Sequence, residues 1–346
     1  MLDHFCQPTA DRILVTGGTG FIGQHLLQAL LERGCLPENI RVFVWDQEAA
    51  SPLPNDSIES VRGNIQSYSD VFQAMKNVKI VFHLAARTDF AGKDLNAYFD
   101  TNVLGTQNIL EAGEVLGLQR LIFYSSMAVH GIPAEVGPVL GWNEERAPQM
   151  PVFTNPYGHS KWIAEQRIRK ARARYGLEYA IIRPTSVYGL GDVNGPTTAL
   201  IRAIQQGIYF QIGSGYNLME YVHVRDLVDG TLQAADARVP AGVAMMSGPQ
   251  AVPYRSVVES IYRSLGKEMP RWWIPGWIGL LISYPLGLIR AITGSAVPLY
   301  PQRVKTLLST YVFSTNRARA LYGYAPKISL QDGVEQTVEW LLSESV

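Results

Sequence analysis

A tyrosine and a lysine four residues apart form the first pair in this sequence that could do chemistry. They are Tyr157 and Lys161, in the segment NPYGHSK. Residues at this spacing share one face of a helix, so the Lys161 ammonium can lie beside the phenol ring and favour its phenolate. We therefore expect the pKa of Tyr157 to be lowered, which would make it a usable general base.

The position of this pair matters more than the pair itself. With 17 tyrosines in the chain, a YxxxK spacing arises easily by chance. Here a predicted strand ending in Ser125-Ser126 precedes the pair by about thirty residues. The pattern therefore places two hydroxyls at the end of a strand and a tuned phenol at the start of a later helix.

A glycine-rich loop follows the first predicted strand. It reads TGGTGFIG over residues 16–23, and a helical pattern starts within it. Gly17 would allow the tight turn, Gly20 would let the backbone approach a pyrophosphate, and Gly23 would let helix and strand pack closely. The free N–H groups and the positive dipole end of the helix favour an anion. This placement predicts a dinucleotide site rather than a plain turn.

The second predicted strand, Ile40 to Trp45, ends at Asp46. A carboxylate at this place can accept hydrogen bonds from both hydroxyls of an adenosine ribose. Residues 47–50 include no cation that could hold a 2′-phosphate, so we predict NAD rather than NADP as the cofactor. The alternative is that Asp46 only ends a strand at the surface. Asn64 follows the third strand, and its amide could contact the adenine edge.

The elements that must position these groups alternate regularly. From residue 11 to about 183, short β-branched runs alternate with helical patterns. This alternation predicts an α/β fold with a Rossmann-type, doubly wound parallel sheet. We expect an NAD-binding domain over residues 1–184, to which the chain returns at about 221–248. Residues 185–346 would form a smaller, mainly helical substrate-binding region.

Composition sets limits on partners and location. The 346 residues are 47% hydrophobic, which indicates a globular protein, and 30 basic residues balance 30 acidic ones. No run of Lys or Arg is present, so we expect no nucleic-acid partner. The first twelve residues lack an apolar core of signal-peptide length. We predict a cytoplasmic location, and the spacing of the histidines and of Cys6 and Cys35 predicts no metal site.

Nine motifs together resemble the extended short-chain dehydrogenase/reductase family of the NAD-dependent epimerase/dehydratase superfamily, over nearly the full chain. The resemblance implies that Tyr157 is the acid/base, that Lys161 is its partner and anchors the nicotinamide ribose, and that Ser126 polarises the reacting oxygen. Asn64 departs from the family pattern, in which many members carry Asp. The matching motifs are TGGTGFIG (16–23), Asp46, GNI (63–65), HLAA (83–86), NVLGTQN (102–108), SSMAVHG (125–131), YGHSK (157–161), IIRPTSVYG (181–189) and YVHVRDLVDG (221–230).

The resemblance also implies contacts with ligands, and it is compatible with a homodimer. The substrate is expected to touch Thr88, Met127, Ser186 and Met219. The residues expected to contact the cofactor are Gly17, Gly20, Phe21, Ile22, Gly23, Asp46, Asn64, Ile65, Leu84, Ala85, Ala86, Asn102, Tyr157, Lys161, Pro184 and Val187.

One position separates two substrate classes. Family members that act on sugar nucleotides commonly carry an arginine just before the aromatic residue of the YVHV-type strand, where its fork holds the diphosphate. This sequence has Met219 and then Glu220 there. The segment GSGYNLMEYVHV looks like the branch that contains 3β-hydroxysteroid and sterol-4α-carboxylate dehydrogenases.

We therefore expect an NAD-dependent oxidoreductase that acts on the 3β-hydroxyl or 3-keto group of a sterol-like lipid. Loss of carbon dioxide would follow where the substrate bears a 4-carboxylate. A sugar-nucleotide epimerase or dehydratase is the first alternative. A non-catalytic NAD-sensing protein is an alternative of another class.

The run from Trp272 to Ile289 contains eighteen residues without a charge. As a helix it would span roughly 27 Å, short of the ~30 Å hydrocarbon core, and we expect Pro275 and Pro285 to interrupt it. Tryptophans gather at one end, and Arg271 and Arg290 stand on either side, which favours a peripheral segment on the inner membrane face. The alternative is that these helices roof the substrate pocket.

Overall fold

The structure is a computed structural model that describes residues 12–47, 52–88, 95–131, 138–145, 155–236, 238–293 and 299–344. The strands are β1 (Arg12–Thr16), β2 (Ile40–Trp45), β3 (Glu59–Gly63), β4 (Val78–His83), β5 (Arg120–Tyr124), β6 (Pro138–Trp142), β7 (Glu178–Pro184), β8 (Ser186–Tyr188), β9 (Leu218–Met219), β10 (Tyr221–His223), β11 (Gly242–Met246), β12 (Val252–Pro253) and β13 (Thr310–Phe313). The α-helices are α1 (Phe21–Glu32), α2 (Tyr68–Ala74), α3 (Leu95–Tyr98), α4 (Gly105–Leu116), α5 (Pro156–Tyr175), α6 (Pro196–Gln205), α7 (Val224–Ala235), α8 (Tyr254–Ser264), α9 (Gly276–Thr293), α10 (Pro301–Leu308), α11 (Asn316–Tyr322) and α12 (Leu330–Ser343).

The main sheet has seven strands in the order β11-β7-β5-β4-β1-β2-β3, and every pair in it is parallel. Most residues of its central strands are apolar and buried, as expected for a parallel sheet that helices cover on both faces. The strand order runs outward in both directions from β1 and β4. In such sheets ligands bind outside the carboxyl ends of the strands at this switch point. The predicted doubly wound parallel sheet is confirmed.

Alternate residues of each strand enter different cores, as the pleat requires. On one face Ile13 and Val15 of β1 pack with side chains of α1 and α7. On the other face Leu14 packs with residues of α2, α4 and α5, such as Ile168. The helix that carries Tyr157 and Lys161 is therefore held against the sheet by an apolar face.

The chain after β7 builds a third core and also returns to the sheet. Strand β10 pairs in parallel with β8, and β11 pairs with β7 at the edge of the main sheet. The third core contains residues of α6, α8 and α12, such as Ile201, Val257 and Val334. This arrangement places the ends of β7 and β8 between the sheet and the helical part of the second half.

Helix α9 contains most of the uncharged run and continues through Pro285, which the sequence analysis expected to interrupt it. A proline at this position leaves the carbonyl of Leu281 without its helical N–H partner. Both residues are exposed, so water can reach that carbonyl. Among the residues that the structure describes, no helix is long and apolar enough to cross a bilayer.

One side of α9 packs on the protein through its glycines. A Cβ added at Gly279 would lie 2.5 Å from Ile212, and one added at Gly287 would lie 2.8 Å from Pro301. The other side of the helix presents Trp277, Leu281 and Leu288, which are 68%, 65% and 62% exposed. These spacings put the three side chains on one face. The helix thus combines close packing on one side with an exposed apolar face on the other.

Candidate active site

The start of α5 places the tyrosine and the lysine. The side chain of Asn155 accepts a hydrogen bond from the N–H of Gly158 at 3.1 Å, and Pro156 takes the first helical position. Both are favourable choices for a helix start. Tyr157 therefore lies in the first turn and Lys161 one turn later, and both side chains are buried.

Ser126 lies opposite this helix start. It caps a short 3₁₀ helix, Met127–His130, and its Oγ accepts a hydrogen bond from the N–H of Ala128 at 3.1 Å. Its hydroxyl also hydrogen-bonds the phenol of Tyr157. A Cβ added at Gly158 would lie 2.2 Å from the carbonyl oxygen of Ala128. Glycine at 158 therefore lets α5 approach closely enough for the phenol to meet Ser126.

Burial dominates the electrostatics of this pair. It raises the pKa of Tyr157 to about 12, and the hydrogen bond from Ser126 acts in the opposite direction. Burial also lowers the pKa of Lys161 to about 7, against the attraction of Glu165. The Lys161 ammonium donates to the carbonyl of Tyr124 at 2.7 Å. The expected lowering of the Tyr157 pKa is therefore wrong for this structure, because desolvation of the phenol outweighs the hydrogen bond from Ser126.

The glycine loop has the shape that a pyrophosphate needs. Gly17 has a φ of +71°, and an added Cβ would lie 2.7 Å from the backbone N of Ala85, while one at Gly23 would lie 2.1 Å from the Gly17 oxygen. At Gly20 the only close atom would be 3.4 Å away. Packing therefore demands Gly17 and Gly23, whereas Gly20 keeps the space before α1 open.

The N-terminus of α1 has no side-chain cap and no acid in its first turn, so its N–H groups can bind an anion. Phe21 and Ile22 begin this helix and are partly buried. The residues present therefore fit the diphosphate of a dinucleotide.

A buried histidine holds the strand ends beside this loop. His83 Nδ1 lies 2.7 Å from Thr16 Oγ1, and its Nε2 lies 3.0 Å from Thr106 Oγ1. Burial lowers the pKa of His83 to about 3, so the ring is neutral and joins β1, β4 and α4. Leu84, Ala85 and Ala86 follow directly, are partly buried, and border the loop at Gly17.

A cation that the sequence analysis missed lies beside Asp46, which follows β2. Asp46 is exposed at the end of β2, and Arg62 of the adjacent strand β3 donates to its carbonyl oxygen at 3.3 Å. The residues that directly follow Asp46 include no cation, whereas the parallel pairing of β2 with β3 brings one from elsewhere in the chain. Asn64 accepts from the N–H of Gln66 at 3.0 Å, and Ile65 packs against Gly105.

Asn102 serves the protein chain. Its amide accepts from the N–H of Arg87 at 2.8 Å and donates to the Arg87 carbonyl at 3.1 Å and to Ser160 Oγ at 2.8 Å. These bonds tie the segment after β4, including the exposed Thr88, to α5. A direct cofactor contact from Asn102 stays a prediction.

The predicted substrate residues lie on different elements. Met127 directly follows Ser126 and packs in a cluster with Trp142 and Phe313, which the sequence analysis did not place at the site. Met219 pairs with Val252 across β9 and β12. Pro184 ends β7, and Ser186 and Val187 form β8 beside β10.

Comparison with known proteins decides the family. The family model described as NAD dependent epimerase/dehydratase family matches residues 13–244. The chain belongs to this family. The resemblance inferred from the motifs is thereby confirmed, and so is NAD as the cofactor.

Relatives in and around this family carry different activities. Sterol-4-alpha-carboxylate 3-dehydrogenase, decarboxylating, from Mus musculus is 27% identical over 95% of this chain and 91% of its own length. N-acetyl-alpha-D-glucosaminyl-diphospho-ditrans,octacis-undecaprenol 4-epimerase from Escherichia coli O157:H7 is also 27% identical, over 95% of both chains. UDP-glucuronic acid 4-epimerase from Bacillus cereus, solved with NAD, has a TM-score of 0.74 at 22% identity and covers 96% of this chain and 99% of its own.

We expect Asp46→Ala to weaken the preference for NAD over NADP. The wild type should bind NADH at least ~10-fold more tightly than NADPH, measured by cofactor fluorescence, because the carboxylate accepts from the ribose hydroxyls and repels a 2′-phosphate. Its removal leaves the Arg62 guanidinium near that place. The double variant Asp46→Ala/Arg62→Ala should therefore bind NADPH less well than Asp46→Ala. Equal affinities of the wild type for NADH and NADPH would contradict the role of Asp46 in selecting NAD.

We expect Gly158→Ala to lower kcat by at least ~10-fold, because the added methyl pushes α5 away from Ser126 and small misplacements of reacting groups are costly. NADH affinity should stay within ~3-fold of the wild type. Gly176→Ala at the other end of α5 is the control, since nothing lies within 4 Å of its added Cβ. Its left-handed φ should cost stability but leave kcat near the wild-type value. Equal kcat losses in both variants would refute the argument.

Proposed function

We propose that this enzyme is an NAD-dependent dehydrogenase acting on the 3β-hydroxyl or 3-keto group of a sterol-like lipid. The observation that carries the proposal is Met219, an apolar side chain at the place where a diphosphate clamp would need arginine. Its sulfur lies 3.8 Å from the hydroxyl of Tyr221, and its strand pairs with β12. A thioether offers a phosphate neither charge nor a donor.

The neighbour of Met219 supports the same substrate class. Glu220 is buried, and its Oε2 accepts from the N–H of Phe313 at 3.2 Å. Burial raises the pKa of this carboxyl to about 7, so near neutrality it is partly anionic. An acid here would repel a diphosphate but would not oppose a hydrocarbon.

A mostly buried aromatic cluster packs against Met127, the residue after Ser126. The Trp142 and Phe313 rings lie 6.2 Å apart, and His130 lies 5.6 Å and 5.5 Å from them. Phe313 and His130 are buried, whereas Trp142 is partly exposed. The partly exposed Trp142 ring can contact one face of a flat polycyclic hydrocarbon, as apolar side chains do in small-molecule sites.

The proposed chemistry follows from the three polar groups at the ends of β5 and α5. With a 3-keto substrate the protonated phenol of Tyr157 donates its proton to the substrate oxygen, and with a 3β-hydroxyl substrate its phenolate form accepts the hydroxyl proton. In both directions Ser126 donates a hydrogen bond to the oxygen as it develops negative charge. The Lys161 ammonium favours the phenolate form of Tyr157 and anchors the nicotinamide ribose of the cofactor. NAD, when bound, supplies the nicotinamide ring that accepts the hydride. With a 4-carboxylate on the substrate, the 3-keto product is a β-keto acid that loses carbon dioxide without a further catalytic group.

The exposed face of α9 would bring the enzyme to its lipid substrate. Its tryptophan and leucine side chains suit the bilayer interface. Residues 269–331 contain seven Lys or Arg and no Asp or Glu, so this part of the chain also attracts anionic headgroups. We infer that the protein associates peripherally with membranes through α9.

A sugar-nucleotide epimerase is the second candidate, supported by the structural likeness to UDP-glucuronic acid 4-epimerase from Bacillus cereus. The Bacillus cereus 4-epimerase was also solved with NAD, so the cofactor half of the site does not separate the two candidates. A non-catalytic NAD-sensing role is opposed by the presence of Ser126, Tyr157 and Lys161 together at one place.

Turnover separates these candidates. We expect the purified enzyme to form NADH from NAD with a 3β-hydroxysterol or its 4-carboxylate, and to leave UDP-glucose unchanged. Tyr157→Phe should lower kcat by about 10²-fold or more because the proton acceptor is lost, with NADH affinity nearly unchanged. Tyr175→Phe, which removes another hydroxyl of α5, is the matched control and should keep kcat within ~2-fold. Epimerised UDP-sugar without sterol oxidation would favour the second candidate.

Liposome flotation tests the membrane contact. The wild type should float with vesicles that contain anionic phospholipid and should be released by detergent rather than by high salt, because apolar insertion contributes about 25 cal/mol per Å² of buried area. Changing Trp273, Trp277 and Leu281 to Ser together should abolish flotation. Changing the exposed residues Val115, Val193 and Leu342 to Ser should not. Wild-type protein that stays in the soluble fraction would mean that α9 only covers the pocket.

A further inference from the structure

A buried ion pair lies behind the candidate catalytic residues. Arg183 Nε donates to Glu165 Oε1 at 2.8 Å, and its Nη2 donates to Oε2 at 2.6 Å. The two side chains are 1% and 0% exposed. Charges buried this deeply persist only when they are paired and hydrogen-bonded, and the two-pronged geometry is the strongest form of such a pair.

The Glu165 carboxylate joins the elements that carry Ser126, Tyr157 and Lys161. Glu165 lies one turn after Lys161 and two turns after Tyr157, so all three share one face of α5. Its Oε1 also accepts from Ser125 Oγ at 2.6 Å, and Ser125 directly precedes Ser126 after β5. Its arginine partner is the penultimate residue of β7. One carboxylate therefore connects α5 to the ends of β5 and β7.

We propose that Glu165 is a positioning residue, which holds Ser126, Tyr157 and Lys161 in register by tying α5 to β5 and β7. The proposal rests on the proposed catalytic roles of those three residues. Buried ion pairs are weak evidence for stability, since apolar side chains of the same volume often replace them without loss. The hydrogen bond from Ser125 to Glu165 gives this ion pair a role beyond stability. Because Ser125 directly precedes Ser126, the bond fixes the position of the turn that carries Ser126.

Charge balance gives Glu165 a second effect on the site. The charged and titratable groups around it are Arg183 of β7, Arg169 of α5 at 3.4 Å, and Lys161. His130 lies 3.3 Å from Arg183 Nη1, and His83 of β4 is held neutral by burial. The carboxylate opposes the lowering of the Lys161 pKa by burial. Without it the ammonium would lose its proton at a lower pH.

Ser125→Ala tests the geometric part of the proposal. It removes only the hydrogen bond to Glu165 Oε1, so we expect kcat to fall about tenfold, with substrate KM and NADH affinity within ~2-fold. Thr231→Val is the matched control. It removes another buried hydroxyl, which lies 2.7 Å from Tyr124 Oη and does not contact Glu165. A kcat for Ser125→Ala within twofold of the wild type, or an equal loss in the control, would overturn the proposal.

Glu165→Gln tests the electrostatic part without a substrate. The titration of the Lys161 ammonium can be followed by NMR in protein labelled with ¹⁵N at lysine Nζ, with Lys161→Arg used to assign the signal. We expect its midpoint to fall by at least about one pH unit in Glu165→Gln. An unchanged midpoint in the folded variant would overturn the proposal, and if the variant does not fold, the Ser125→Ala result decides. Absence of sterol turnover in the wild type would count against the proposed function only, because this titration needs no substrate.

Discussion

The contact between Gly158 and the carbonyl of Ala128 is the constraint around which the candidate site is built. A side chain at 158 would place its Cβ 2.2 Å from that oxygen, so α5 and the turn after β5 meet with backbone against backbone. Asn155 starts α5 at the correct residue, and Ser126 caps the facing turn. These two caps fix where α5 and the facing 3₁₀ helix begin. The Ser126 hydroxyl and the Tyr157 phenol therefore lie side by side.

Burial is the second physical theme of the site. Desolvation raises the pKa of Tyr157 and lowers that of Lys161, and it keeps His83 neutral. Such a dry environment strengthens every remaining charge interaction, because water no longer screens it. The paired charges of Glu165 and Arg183 lie in the same environment, which is why their geometry bears on the groups beside them.

The cofactor half and the substrate half of the site differ in what they indicate about function. The glycine loop, Asp46 and the Tyr157–Lys161 pair form the predicted cofactor half, and the family model that matches residues 13–244 is described by NAD and by no single substrate. The relatives accordingly include both a sterol dehydrogenase and sugar epimerases. We propose that substrate class depends instead on Met219, Glu220 and the aromatic cluster of Trp142 and Phe313, since function resides in a site and not in a fold.

The amino-acid sequence by itself determined the parallel sheet, the glycine loop and the shared face of Tyr157 and Lys161, because these follow from local spacing along strands, turns and helices. Tertiary structure decided the rest. Arg62 meets Asp46 only through the pairing of β2 with β3, and Trp142 meets Phe313 only through the pairing of β6 with β13. The raised pKa of Tyr157 and the continuity of α9 through Pro285 also depend on packing. Burial and contacts between distant residues are set by the whole fold, and no local spacing encodes them.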